Sequence, residues 1–303
     1  MPGGASGGVQ VCGVSLPTDG TRNLDRVLER ITLRFADLGD YDRVLELLDT
    51  TRPDLVFHLA AQASVERAWA NPAGTLVNNV SVQLNLLQAI VALKLTPRML
   101  VIGSADEYGA VSPADMPMDE DTPLRPLNPY AVSKIAQDYL GLQYHLSHGL
   151  HVVRVRPFNH IGPRQGPGFA LADWCRQIAS IEAGLQEPVM RVGNLDARRD
   201  FSDVRDIVRG YYLALMRGQP GQVYNLGSSH SHSMRDILDR LLAQSRVAVR
   251  VEVDPALVRP IDIPEVVCDC TRFKRDTGWE PQYDLDQTLR DVLDDWRKRV
   301  RTN

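Results

Sequence analysis

Apolar runs with little alternation mark the first half of the chain. VQVCGVSL (9–16), ITLRFADL (31–38), DLVFHLAA (54–61), RMLVIGSA (98–105) and LHVVRVRPF (150–158) each read as strands. Their texture suits parallel strands covered on both faces. Between them the period changes to that of helices. In DYDRVLELLD, Tyr41, Val44, Leu45 and Leu48 fall at i, i+3, i+4 and i+7, with Asp40 where an N-cap belongs. TLVNNVSVQLNLLQAIVALK (75–94) repeats apolar residues at 77, 80, 84, 87 and 91, a second amphipathic helix. Strand–helix–strand alternation predicts an α/β fold with a doubly wound parallel sheet. After residue 160 Pro and Gly increase, elements shorten, and a last helix is expected near 284–299. That predicts a smaller, mixed α/β C-terminal domain.

Composition narrows the function. The chain has 303 residues, 44% of them hydrophobic, and a net charge of −4. That is enough apolar material for one large or two smaller domains. The charge gives no bulk attraction to nucleic acid or an anionic membrane. No run of 18 apolar residues and no charged-then-apolar leader is present, so a cytoplasmic location without a membrane partner is expected. Cys12, Cys175, Cys268 and Cys270 are scattered. Cys268-x-Cys270 lacks a second ligand pair at metal spacing, so free thiols and no metal are expected.

NPYAVSK (128–134) sets Tyr130 and Lys134 four residues apart at a helix start marked by Asn128 and Pro129. Residues at i and i+4 share a face. An ammonium there is expected to stabilise a tyrosinate and lower a phenol pKa of about 10, allowing proton exchange with a carbonyl or alcohol. Alone, the pair also fits an exposed helix start. Ser104, at the carboxyl end of the RMLVIGSA strand, adds a hydroxyl where open α/β sheets bind ligands.

The Ser104, Tyr130 and Lys134 set resembles that of the short-chain dehydrogenase/reductase family. HLAAQASVERAW, GSADEYG, LNPYAVSK, RPFNHIGPRQ, VGNLDARRDFSDVRD, YNLGSS, RPIDIP and TGWEPQY follow the order and spacing of its extended, nucleotide-sugar branch. RPFNHIGPRQGPGF with GNLDARRDF is most similar to GDP-6-deoxy-mannose reductases, and next to GDP-mannose 4,6-dehydratases. The resemblance implies a Rossmann-like dinucleotide-binding domain over 1–160 plus about 201–227. It also implies a nucleotide-sugar domain over 161–200 plus about 228–303. Lys134 would hold the nicotinamide ribose beside Tyr130. Ala60 and Ala61 would line the cofactor, and Asp37 and Leu38 would meet the adenine, unless Asp37 caps the helix that Asp40 opens. Asn159 would bind near the substrate diphosphate, and Arg199 would pair with a phosphate, its alternative being a surface ion pair. Arg259 would serve the nucleotide and Asp262 a ribose or guanosine group, unless that Pro-rich loop is structural. A homodimer through helix 75–94 and the helix after Tyr130 is also implied, although a helix buried all round would look the same.

The two reactions differ in one acid. A 4,6-dehydratase uses a glutamate two positions before the YG tyrosine as a second acid/base group. Here Asp106 stands there, one methylene shorter, and its plain alternative is a hydrogen-bonded carboxylate at a strand end. The resemblance therefore favours NADP-dependent reduction of a GDP-4-keto-6-deoxy-hexose. GDP-mannose dehydration or epimerisation is the alternative, and a cofactor-deficient nucleotide-sugar-binding protein the alternative of another class. The opening GGASGG lacks a preceding strand and a following helix, so the fold's first strand and helix are expected to be missing. No pyrophosphate binding is assigned to these glycines. SLPTDG offers no acid at the strand end for a ribose 2′-OH, which favours NADP(H) over NAD(H).

Overall fold

The computed structural model describes residues 8–258 and 263–302. The first elements among the described residues are β1 (Cys12–Ser15) and β2 (Thr32–Phe35), a parallel pair, followed by α1 (Tyr41–Thr51). β3 (Leu55–His58), α2 (Val65–Ala70), α3 (Pro72–Ala92), β4 (Arg98–Ile102), α4 (Pro129–His148) and β5 (His151–Pro157) follow. Next come β6 (Asn159–Ile161), α5 (Ala170–Glu182), β7 (Val189–Val192), β8 (Arg198–Asp203), α6 (Val204–Arg217) and β9 (Val223–Leu226). β10 (Ser231–Ser233), α7 (Met234–Leu242), β11 (Arg250–Val253), β12 (Glu265–Val266), α8 (Thr271–Thr277) and α9 (Leu285–Thr302) complete it.

β3, β4, β5 and β9 form one parallel sheet in that order, in a register that sets Leu100 opposite Val153 and Val155 opposite Tyr224. One face is covered by α1, α3 and α4, whose Val44, Leu87 and Ile90 pack on Met99 and Val101. The other is covered by α6 and α8, where Ile207, Leu215 and Phe273 meet Leu100 and Val155. Each such side chain contributes roughly 1.5–3 kcal/mol when fully buried. A separate core joins α5, α7 and α9 to β7. β8 pairs with β6, β10 and β12 and carries the chain between these cores. Among the described residues β1 pairs only with β2 and β3 only with β4.

Helix ends follow the chemistry of their caps. The Asp40 carboxylate accepts from the Asp42 and Arg43 amides at 3.1 and 3.3 Å. Asn128 Oδ1 accepts from the Ala131 amide at 2.8 Å, Pro129 opens α4, and Gly149 closes it at φ 67°. The strands are shorter than the apolar runs that announced them. Each run leaves the sheet early, which puts Asp37, Ala60 and Ser104 in loops beyond the strand ends. β5 departs furthest from expectation: Arg154 and Arg156 interrupt a strand read as apolar, and both are buried.

Candidate active site

Parallel strands all deliver their carboxyl ends to one edge of a sheet. Past β3 lie Ala60, exposed, and Ala61, half-buried, and past β4 lies Ser104. Ser104 opens a single 3-10 turn, Ala105–Glu107, and its Oγ accepts from the Asp106 amide at 3.2 Å. The Glu107 carboxylate reaches back and accepts from the Ser104 amide at 2.8 Å, completing a capping box. Ser104 is therefore fixed by its own turn.

Tyr130 stands in the first turn of α4, close enough to Ser104 for that hydroxyl to favour the ionised phenol. Lys134 is buried one turn later, its Nζ 5.9 Å from the Tyr130 ring centroid and donating to Ile102 O at 2.9 Å. The three expected groups thus meet at one place. The acidified phenol is not observed. Burial, and next the Asp106 carboxylate, hold the Tyr130 pKa above its ordinary value against the Ser104 hydroxyl. The shift falls instead on Lys134, which burial lowers to about 8 against the pull of Glu107.

Behind this trio lies a buried ionic network that the pattern of apolar runs concealed. Glu107 Oε2 accepts from Arg156 Nε at 2.9 Å. Asp138, one turn beyond Lys134 on α4, accepts from Arg154 Nη1 at 2.7 Å and from Arg156 Nη2 at 2.5 Å. Burial and Asp138 raise Glu107 to about 8, while Arg156 works against them. Tyr108 of the YG pair donates to Asn225 Oδ1 at 2.6 Å and accepts from Arg156 at 3.2 Å. Gly109 follows at φ 58°, where any Cβ would collide with the Arg125 carbonyl. His58, at the end of β3, is held neutral by burial and by Lys134, its pKa lowered to about 3. The signal for the network was present: arginines two apart share a strand face and, once buried, demand carboxylates.

The remaining expected residues that are described lie on other elements, near β2, at β6 and on β8. Asp37 does not cap α1; its Oδ1 accepts from the Gly39 amide at 2.8 Å. Leu38 is tied down by Asn85 Nδ2, which donates to its carbonyl at 2.8 Å. The loop after β1 does place a carboxylate at the strand end: Asp19 Oδ2 accepts from Ser15 Oγ at 3.0 Å and Leu16 N at 3.3 Å. Asn159 is exposed at the start of β6, and β6 pairs it with Phe201 of β8. Arg199 lies half-buried on β8, its Nη1 donating to the carbonyls of Arg198 at 2.8 Å and Ile263 at 2.7 Å. Arg259 and Asp262 lie outside the described residues, as do Gly3, Gly4 and Gly7 of the opening stretch.

The residues present fit the nicotinamide-ribose end of a dinucleotide. Lys134 gives one of its three N–H bonds to Ile102 and, among the described residues, makes no second hydrogen bond. Two donors of a buried ammonium thus remain for ribose hydroxyls.

Fold and site together define an extended short-chain dehydrogenase/reductase. The chain belongs to the GDP-mannose 4,6-dehydratase family, whose model matches residues 8–292. It is 41% identical to the GDP-6-deoxy-D-mannose reductase of Pseudomonas aeruginosa over 249 residues, 82% of each chain. The structure of RMD from the same organism, complexed with NADPH, superposes with a TM-score of 0.87 at 36% identity, covering 96% of this chain and 100% of that one. The UDP-glucose 4-epimerase of Thermus thermophilus in complex with NAD gives 0.83 at 26% identity, covering 95% and 91%.

Proposed function

We propose that this protein reduces the 4-keto group of a GDP-4-keto-6-deoxy-hexose with NADPH. The observation that carries the reading is the meeting of Ser104 and Tyr130 beyond β4, with Lys134 buried 5.9 Å from the Tyr130 ring. The dinucleotide supplies the hydride. Tyr130, kept protonated by burial and Asp106, donates its proton to the ketone oxygen while Ser104 hydrogen-bonds that oxygen. A phenol held in its acid form suits donation to a nascent alkoxide. Lys134 binds the nicotinamide ribose, and Asp37, Leu38, Ala60 and Ala61 line the rest of the cofactor. Asn159, Arg199, Arg259 and Asp262 take the nucleotide sugar, a guanidinium fork matching phosphate oxygens as an ammonium cannot.

The names and bound dinucleotides of the relatives support this reading. Asp106 supports a second one, 4,6-dehydration of GDP-mannose, because its carboxylate acts on Tyr130. Glu107, its neighbour, is committed to Ser104 and Arg156. We also infer the two-domain division given above and a cytoplasmic homodimer. Val132, Tyr139 and Leu146 support the dimer: seven residues apart on α4, they form an exposed apolar stripe, with Val77 of α3 exposed as well. No helix among the described residues is long and apolar enough to cross a membrane.

The test is to incubate the protein with GDP-4-keto-6-deoxy-mannose and NADPH or NADH, following loss of reduced-nicotinamide absorbance. Turnover with NADPH preferred is expected. No turnover, with GDP-mannose converted to its 4-keto-6-deoxy form without added reductant, overturns reduction in favour of dehydration.

A further inference from the structure

We propose that Cys268 and Cys270 form an oxidisable dithiol, with Cys270 the nucleophile, Cys268 the resolving thiol and a small hydroperoxide the oxidant. The pair stands beside a cavity of about 300 Å³ lined by both cysteines, Ser229, Thr271 and Lys274, and by none of Ser104, Tyr130 and Lys134. Both cysteines are almost wholly buried, so reagents reach them through this cavity, which selects for small ones. Cys268 and Cys270 stand two residues apart against that one cavity, and the Cys268 side chain acts on the Cys270 thiol. Ser229 Oγ lies 3.1 Å from Cys270 Sγ, and Lys274 stands four residues beyond Cys270, on its side of α8.

The backbone between the sulfurs is anchored on two sides. The Cys268 amide donates to Asp200 Oδ2 at 3.1 Å, and the Asp269 amide donates to Met118 O at 2.7 Å. These bonds fix the backbone at Cys268 and Asp269, where Cys268 bridges to Met118. The two are also unequal. The neighbouring Cys268 side chain, aided by Ser229 and Lys274, lowers Cys270 to about 7 against burial. Burial raises Cys268 well above the ordinary thiol range. Cys175, buried without a thiol neighbour, is raised to about 12 by burial and is inert by the same logic.

The chemistry balances with the hydroperoxide alone. The Cys270 thiolate attacks the terminal peroxide oxygen; an S–O bond forms, the O–O bond breaks, and the leaving oxygen takes a proton as alcohol or water. Cys270 is then a sulfenic acid. Cys268 sulfur attacks Cys270 sulfur; the S–S bond forms, the S–O bond breaks, and the hydroxide leaves with the Cys268 proton as water. Two thiols have been oxidised and one peroxide reduced.

The test uses the full chain carrying Cys12→Ser, which removes the exposed thiol, treated with one equivalent of hydrogen peroxide. Intact mass should fall by about 2 Da and recover with dithiothreitol, the change mapping to the peptide that holds both cysteines. Cys268→Ala should stop at a sulfenic acid on Cys270 that dimedone traps, and Cys270→Ala should show neither product. An unchanged mass, a gain of about 32 Da at Cys270 with Cys268 untouched, or oxidation first at Cys175 overturns the proposal. The peptide map of the Cys12→Ser protein decides even where an alanine variant fails to fold. Its outcome is independent of whether the protein reduces a sugar.

Discussion

Asp138→Asn tests whether the buried network supports the fold around the active site. Asp138 is 1% exposed, and its two oxygens take both Arg154, 7% exposed, and Arg156, 3% exposed. Asparagine keeps the shape but removes the charge, and turns one acceptor into a donor facing a guanidinium. Among the described residues Arg154 Nε is without a partner, which leaves that arginine its Nη2 bond to the Gly221 carbonyl at 2.9 Å. Breaking a buried pair by removing one charge costs about 3–5 kcal/mol. At about 2.1 cal/mol/K for each of 303 residues, the unfolding entropy is near 0.6 kcal/mol/K, which converts that loss into a fall in Tm of about 5–8 °C. Thermal unfolding followed by circular dichroism at pH 7 measures it. Glu46→Ala is the control, since it removes an exposed pair with Arg43 at 3.1 Å and should cost under about 1 kcal/mol. A fall in Tm for Asp138→Asn no larger than the control's would refute the view that Asp138 carries both arginines.

Other outcomes follow from the site. Tyr130→Phe should lower kcat about 10²–10⁴-fold with KM little changed, as loss of a general acid requires; steady-state kinetics checks it, and retained kcat would remove Tyr130 from the chemistry. Lys134 is lowered from 10.5 to about 8, so holding its ammonium in the fold is a cost present below pH 8 and relieved as pH rises from about 8 to 10.5. Lys134→Met should therefore raise Tm at pH 7, by at most about 3 kcal/mol in stability, and leave it unchanged near pH 10.5. The same titration predicts that dinucleotide affinity of the parent protein weakens above pH 8, measurable by calorimetry. Arg199→Lys should raise KM for the nucleotide sugar about tenfold with kcat nearly kept, because the guanidinium fork is lost.

β3 and β4 could be read from the chain because they are nearly continuous apolar runs, β5 in spite of Arg154 and Arg156, and α1 and α4 because Asp40 and Asn128 sit at their caps. Tyr130 and Lys134 were legible for a local reason: four residues on a helix fix a shared face without any knowledge of tertiary structure. Ser104 needed only a strand end. Glu107, Arg156 and Asp138 were hidden because their meaning is entirely non-local; Arg156 lies 49 residues from Glu107 and 18 from Asp138. The expected acid shift of Tyr130 failed for a related reason. Helical spacing supplies a neighbour, but burial and the facing Asp106, which spacing does not reveal, set the balance. Asp19 was missed at the end of β1 because its side chain folds back four residues to Ser15.

The reciprocal cap between Ser104 and Glu107 has a consequence for how kinetic lesions spread. Glu107 closes the serine's turn with one oxygen and grips a central-strand arginine with the other. The hydroxyl's address is thus written by the sheet interior and asks no reorganisation of an arriving ligand. Substitutions at Arg156, remote in sequence from the chemistry, should consequently surface as slow turnover in a protein that still binds well.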